Sequence, residues 1–123
     1  MHGAIRALLV ADTAVSALVS TRIYPFKLPL DVTLPAITIH KASGGRDTVT
    51  NHGYPRYQIS CWAGSYATVQ SMRDAVVNCL DRYKGVASGN NIKFISYVGD
   101  MDAYEETTGI YHIPIDFKIK HFN

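Results

Sequence analysis

The chain has 123 residues, 47% of them hydrophobic and 18% charged, with a formal net charge of +2 and a pI near 8.6. Its length sets the expectation of one domain, 1–123, with a core large enough to stand without staples. A balance this close to neutral, with no Lys/Arg run, argues against nucleic acid as a specific ligand, and a charge-poor surface hints at association.

Gly3 to Val19 is Ala-rich, with Ile5, Leu8, Leu9, Val15 and Leu18 at helical spacing. Asp12-Thr13 interrupts it with N-cap chemistry, which predicts a kink or two short helices. The stretch "RIYPFKLPLDVTLPAITIH" follows, with Pro25, Pro29 and Pro35 set among large apolar residues. Proline gives no amide proton and drives its predecessor towards extended backbone. Arg22 to Leu34 is therefore expected to be an extended, ordered connection whose apolar side chains need a cover, from this chain or from a neighbour. A strand begins at "PAITIHKAS", where a leading proline is tolerated.

"SGGRDTVTNHGY" reads as a long loop between strands, beyond the length of an ordinary hairpin turn. "RYQISCWA" alternates, with Tyr57, Ile59, Cys61 and Ala63 on one face and Arg56, Gln58, Ser60 and Trp62 on the other. Ser65 is positioned to cap a helix running to about Tyr83, with Val69, Met72, Val76, Cys79, Leu80 and Tyr83 as its apolar stripe and Gly85 just past its end. "IKFISYV" is expected to be a strand with Ile92, Phe94 and Val98 on one face. "GDMDAYEETTG" is expected to be an acidic loop. The chain closes on its best period-two run, "IYHIPIDFKIKHF", which points Tyr111, Ile113, Ile115, Phe117 and Ile119 at the core. The whole reads as an α+β fold, a mostly antiparallel sheet with helices packed on one face.

Chemistry is hard to find in this pattern. The five histidines lie in no close ligand spacing, and no Cys pair has a zinc arrangement. The nucleophile elbow, the Walker loop and the dinucleotide-binding glycine pattern are all missing. The residues thus imply no cofactor, metal or catalytic group. Cys61 and Cys79 read as reduced, buried small hydrophobes. The N-terminal run is too short and too weakly basic for a signal peptide, and no apolar run is long enough for a bilayer, so a soluble protein made in a cytoplasm is expected. Eight tyrosines are more telling, because Tyr54, Tyr66 and Tyr104 fall at loop or helix-start positions and Trp62 on the polar sheet face. Aromatics placed this way anchor protein contacts.

The ordered pieces "ALLVADTAVSALVSTRIYPFKLPLDVTLPAITI", "YQISCWAGSYATVQSMRDAVVNCL" and "DAYEETTGIYHIPIDFKI" resemble the tail completion proteins of long-tailed bacteriophages and prophages. The resemblance implies a ring-forming subunit, usually sixfold, at the head-proximal end of the tail tube, assembled in the host cytoplasm and carried in the virion. The ring would end tail growth and present a surface to the head connector. It implies partners in itself, the tail tube protein and the connector or stopper protein, with DNA passing through the lumen unread and no membrane involved. The candidate contact residues on this reading are Tyr24, Phe26, Leu28 and Leu30 in the connection, Arg46, Asp47, Tyr54 and Arg56 in and after the long loop, Trp62, and Asp100, Asp102, Tyr104, Glu105 and Glu106 in the acidic loop. The acidic set is suited to face Lys27, Lys41, Arg46 and Arg56 of a neighbour. Two other readings stand beside this one. One is a small ligand-binding or enzymatic domain with its site near His40, Trp62 and His112. The other is a regulatory interaction module unrelated to virions.

Overall fold

A computed structural model describes residues 2–43, 46–47, 52–53, 55–87 and 89–122. Asp12 divides the N-terminal helical stretch as its chemistry predicts. Its backbone is extended, and its side chain accepts the Val15 N–H at 3.1 Å, separating α1 (His2–Ala11) from α2 (Thr13–Val19). Ala4, Ile5, Leu9, Val15 and Val19 turn inward and are buried.

The proline-punctuated connection starts as a short strand. β1 (Ile23–Pro25) runs parallel to β2 (Ala36–Ser43), with Ile23 opposite Ile37 and Pro25 opposite Ile39. β1 lies at the sheet edge, where a proline costs no ladder bond. β3 (Arg46–Asp47) and β4 (His52–Gly53) pair with each other. The rest of the expected long loop, 44–45, 48–51 and Tyr54, lies outside the described residues.

β5 (Arg56–Ala63) alternates as expected, with Tyr57, Ile59, Cys61 and Ala63 buried. α3 (Tyr66–Leu80) then lays Val69, Met72, Ala75, Val76 and Leu80 against the sheet. This helix ends at Leu80, before the expected Tyr83. The left-handed residue after it is Arg82 (φ 67°), because the Arg82 N–H bonds to the Ile95 carbonyl (2.7 Å) and the Ile95 N–H to the Tyr83 carbonyl (3.0 Å). Pairing with the sheet overrides the helix, and Gly85 opens β6 (Gly85–Ala87) instead of capping α3.

β7 (Asn90–Asp100), β8 (Ala103–Glu105) and β9 (Ile110–Phe122) complete the sheet. β9 is its spine. β5 and β4 pair along one side of it, and β7 and β8 along the other. The order β1-β2-β5-β9 continues into β7 and β6, and every pair except β1–β2 is antiparallel. Ile113, Ile115, Phe117 and Ile119 are buried under the helices, so the α+β expectation holds in class and layering. Pro114 sits in this central strand at the point where the far-side partner changes, between Ala103 opposite His112 and Asp100 opposite Ile115. A missing N–H is tolerated at such an interruption.

Two expectations need correction. In β7, Ile92 and Ile95 are buried while Phe94 and Val98 are exposed. The register slips at Lys93, between Ile92 opposite His121 and Phe94 opposite Lys120, and again at Val98, between Tyr97 opposite Phe117 and Gly99 opposite Asp116. Each bulged residue shifts the alternation by one place, so strict period-two reading misplaces Phe94 and Val98. The acidic segment is not wholly a loop either. Ala103–Glu105 pairs with Ile110–His112 as β8, because the hydrogen-bonding edge of β9 is open there.

Core and arm should answer differently to truncation. Phe117→Ala is expected to cost about 3–5 kcal/mol in urea unfolding, while Leu30→Ala, on an exposed side chain, should stay within about 0.5 kcal/mol.

Candidate interaction surfaces

The segment from Phe26 to Leu34 leaves the sheet and returns to it, and both of its ends are tied. The Phe26 N–H donates to the Ile39 carbonyl at 2.8 Å, and the Arg22 guanidinium donates through Nε to the Pro35 carbonyl at 2.9 Å. Between these ties the chain forms an arm that is not extended as expected: it bends at Phe26–Lys27 and turns at Leu30–Asp31, and of the three prolines only Pro29, with its fixed φ, lies inside it. Phe26 (φ 65°) and Asp31 (φ 57°) both hold left-handed backbone, unusual for residues other than glycine. Phe26 meets His40 edge-on at 5.5 Å yet is 73% exposed, and Leu30 is 95% exposed. Tyr24 and Leu28 are half-buried, and Lys27 is exposed. The arm's apolar tip therefore has no cover from the described residues of its own chain.

On the far side of the sheet, the acidic residues divide into two groups. Asp100 is clasped: Arg73 of α3 donates through Nε at 2.8 Å, and the Tyr97 hydroxyl donates to the same carboxylate oxygen. Burial alone would raise the Asp100 carboxyl, but the bonds from Tyr97 and Arg73 outweigh it and hold the group below its ordinary range. Its hydrogen bond to Asp100 in turn raises the Tyr97 hydroxyl, and the Arg73 guanidinium lies 5.5 Å from the Tyr97 ring centre. Asp102 accepts from the Tyr66 hydroxyl at 2.8 Å and raises its pKa. Asp100 and Asp102 thus staple β7 and the turn after it to α3. Glu105 and Glu106 instead stand exposed at the hairpin tip. Tyr66 and Tyr104, both exposed, flank Tyr111 with ring centres at 5.7 and 4.7 Å.

The sheet face away from the helices carries a stacked pair. Trp62 and His112 lie 3.8 Å apart and 4° from parallel, and the Trp62 Nε1–H donates to Thr38 Oγ1 at 3.0 Å. Thr38 and Ser60 are buried beneath them. His112 Nε2 is buried with no hydrogen-bond partner among the described residues, and burial pushes its pKa down against the opposing pull of Glu105. His40 belongs elsewhere. It lies opposite Gln58, whereas His112 lies opposite Trp62, a separation of about 13 Å at roughly 3.3 Å per residue along β5. His40, Trp62 and His112 therefore do not converge on one site. Cys61 and Cys79 are free thiols, each pushed up to about 12, chiefly by burial.

Of the candidate contact residues, the structure groups Phe26 and Leu30 on one sheet edge and Asp102, Tyr104, Glu105 and Glu106 on the other. Arg56 is exposed where β5 begins, and Trp62 is engaged within the chain. Arg46 and Asp47 have their backbone in β3, with side chains outside the described part, as is the whole of Tyr54. Sequence reasoning missed Arg73 and Tyr97, whose partnership joins a helix to a distant strand. It also missed Val98 and Met101, 44% and 65% exposed on either side of Asp100. Only the bulge at Val98 reveals that residue's exposure, and bulges leave no mark in a period-two pattern.

Comparison with known proteins agrees with this architecture. A family model described as tail completion protein gp17 matches residues 3–121. Among solved structures 24 chains match. One, from a "Virion of native gene transfer agent (GTA) particle", superposes with a TM-score of 0.81 at 19% identity, covering 98% of this chain and 92% of that one. At that identity the likeness speaks for the fold. No curated protein matches.

Two measurements test the electrostatics described above. Asp100→Asn should lower stability by about 0.5–1 kcal/mol, since the clasp lies at the protein surface, where solvent screens it. The contribution of Asp100 should be present above its ordinary value of 3.8 and fade only as pH falls below it, because its folded-state pKa is lowered. His112 works the same way at higher pH. Its folded pKa lies below the ordinary 6.5, so the unfolded chain takes up the proton first and stability falls as pH drops through 6.5. His112→Phe should flatten that limb of a pH-stability curve measured from pH ~7 to ~5.

Proposed function

The chain belongs to the tail completion protein gp17 family, and we propose on that premise that it forms a ring at the head-proximal end of a tail tube. There it ends tail growth and joins the tail to the head connector. As a family member it is a structural protein of a phage-type tail, working in the virion among other tail and head proteins. The family match over residues 3–121 carries the reading. The ring is sixfold, the tube protein and the connector or stopper protein bind its two faces, and DNA crosses its lumen without being read. The protein does this by shape and contact, without catalysis.

Three features of the chain support the reading. Apolar side chains as exposed as Leu30 and Phe26 on an arm tied at both ends are costly to leave in water and suit a partner surface. A ring built head to tail needs two different patches per subunit, and the two sheet edges differ in residue type and charge. His40, Trp62 and His112, the residues of the competing ligand-site reading, are held apart in two separate aromatic pairs.

Electron microscopy of particles made without this protein tests the proposal. Over-long or ragged tails, unattached to filled heads, are the expected result for a terminator. Tails of normal length that fail to join heads would restrict the role to joining. Intact particles would remove the protein from this step altogether.

A further inference from the structure

The base of the arm and the stretch around Val98 and Met101 stand at opposite ends of one row of the sheet. From Pro25 the register runs to Ile39, then Ile59, then Ile115, and reaches Asp100. The arm begins immediately after Pro25, and Val98 and Met101 flank Asp100. Four strand spacings of about 4.8 Å separate them, roughly 19 Å across the sheet. The base of the arm and the stretch around Val98 and Met101 are therefore level along the strands, on opposite edges of the sheet.

We propose that the arm of one subunit, through Phe26 and Leu30, docks on Val98 and Met101 at the β7–β8 edge of a second copy of this chain. The occupant follows from complementarity. The arm side carries Lys27, with Lys41 close by on β2, both exposed and basic. The receiving edge carries Asp102, Glu105 and Glu106, all exposed and acidic. Asp31 is the arm's own acidic residue, and it sits beside Leu30 in left-handed backbone. Two like edges would bring the acidic residues together, which charge opposes, whereas two arms, each carrying Lys27 and Asp31, gain no charge complementarity that the acidic edge does not offer better through Lys27 and Lys41. Arm on edge joins opposite charges and covers apolar side chains on both partners. The contact is heterologous, since each subunit gives an arm and receives one. Because the arm's base and the receiving edge share one row, successive subunits are placed to join at one level along their strands, and a head-to-tail contact of this kind gives a ring where its rotation closes.

This contact rests on the ring reading above and deepens it, and cysteine cross-linking tests the two apart. The native thiols are shielded, so added cysteines react first. Three variants, Leu30→Cys, Met101→Cys and the double variant, are assembled into tailed particles and treated with a short bismaleimide. Both positions are exposed, so folding is spared. The double variant is expected to give a ladder of dimer, trimer and higher species. Each single variant should give nothing above wild type, and co-assembly of the two single variants should give dimers only. Dimers from Leu30→Cys alone would establish an arm-to-arm contact and overturn the proposal. No ladder from the double variant, in particles that contain the protein and have tails of normal length, would also overturn it while leaving the tail role intact. Absence of the protein from particles would take down the contact and the tail role together.

Discussion

The double pairing of β9 is the constraint on which the rest of the molecule depends. A strand hydrogen-bonded along both sides has no freedom to slip, because moving it by one residue would turn Ile113, Ile115, Phe117 and Ile119 out of the core and bring Lys118 and Lys120 in. Its register therefore fixes β5 on one side and β7 on the other. Those strands in turn fix which face α3 covers, since α3 packs on β5, β9 and β7 together. Side chains on the opposite face make their own arrangement, stacking Trp62 on His112 over Thr38 and Ser60.

A sheet pinned at its centre still has to manage its edges, and this one treats them unlike each other. One edge is a three-residue parallel strand that ends in proline and then departs as the arm. Few ladder groups remain there for stray pairing. On the other side, β7 is partly covered by the backbone of Arg82 and Tyr83, and Asp81 accepts the Tyr97 N–H at 3.0 Å. The two bulges in β7 twist the strand further from a flat template. Both edges thus resist unspecific strand addition and expose side chains instead. Association through side chains is chosen by shape and charge, whereas an open ladder would accept almost any extended chain.

Much of the layout could be read from the sequence, because it rests on local signals. The Asp12 cap, the alternation of β5 and β9 and the stripe of α3 are each written within a few adjacent residues. The hidden parts share another character, being decided by contacts far along the chain. Where α3 stops depends on Arg82 and Tyr83 finding Ile95, and which way Phe94 faces depends on a bulge set by Lys120 and His121. The candidate surfaces divide along the same line. The arm was legible as an apolar connection bounded by prolines but not in its shape, since it was expected to be extended and instead turns through left-handed backbone at Phe26 and Asp31. The acidic segment was legible as charge but not as structure, since nothing in "GDMDAYEETTG" says that Asp100 is clasped by Arg73 while Glu105 and Glu106 stay exposed.

Why tie so apolar an arm down so firmly? A floppy arm bearing Phe26 and Leu30 would fold back on its own surface, or lose conformational freedom at the moment of docking. Ordering costs of that kind weaken an interface without improving its fit. Here the ordering is completed when the chain folds, through prolines that narrow the backbone and hydrogen bonds that close both ends. The left-handed backbone at Phe26 and Asp31 is the visible cost, carried by a core anchored on β9. In the contact proposed above, an arm prepared this way would meet its partner already ordered. Association would then depend on whether the receiving edge is presented in the right place.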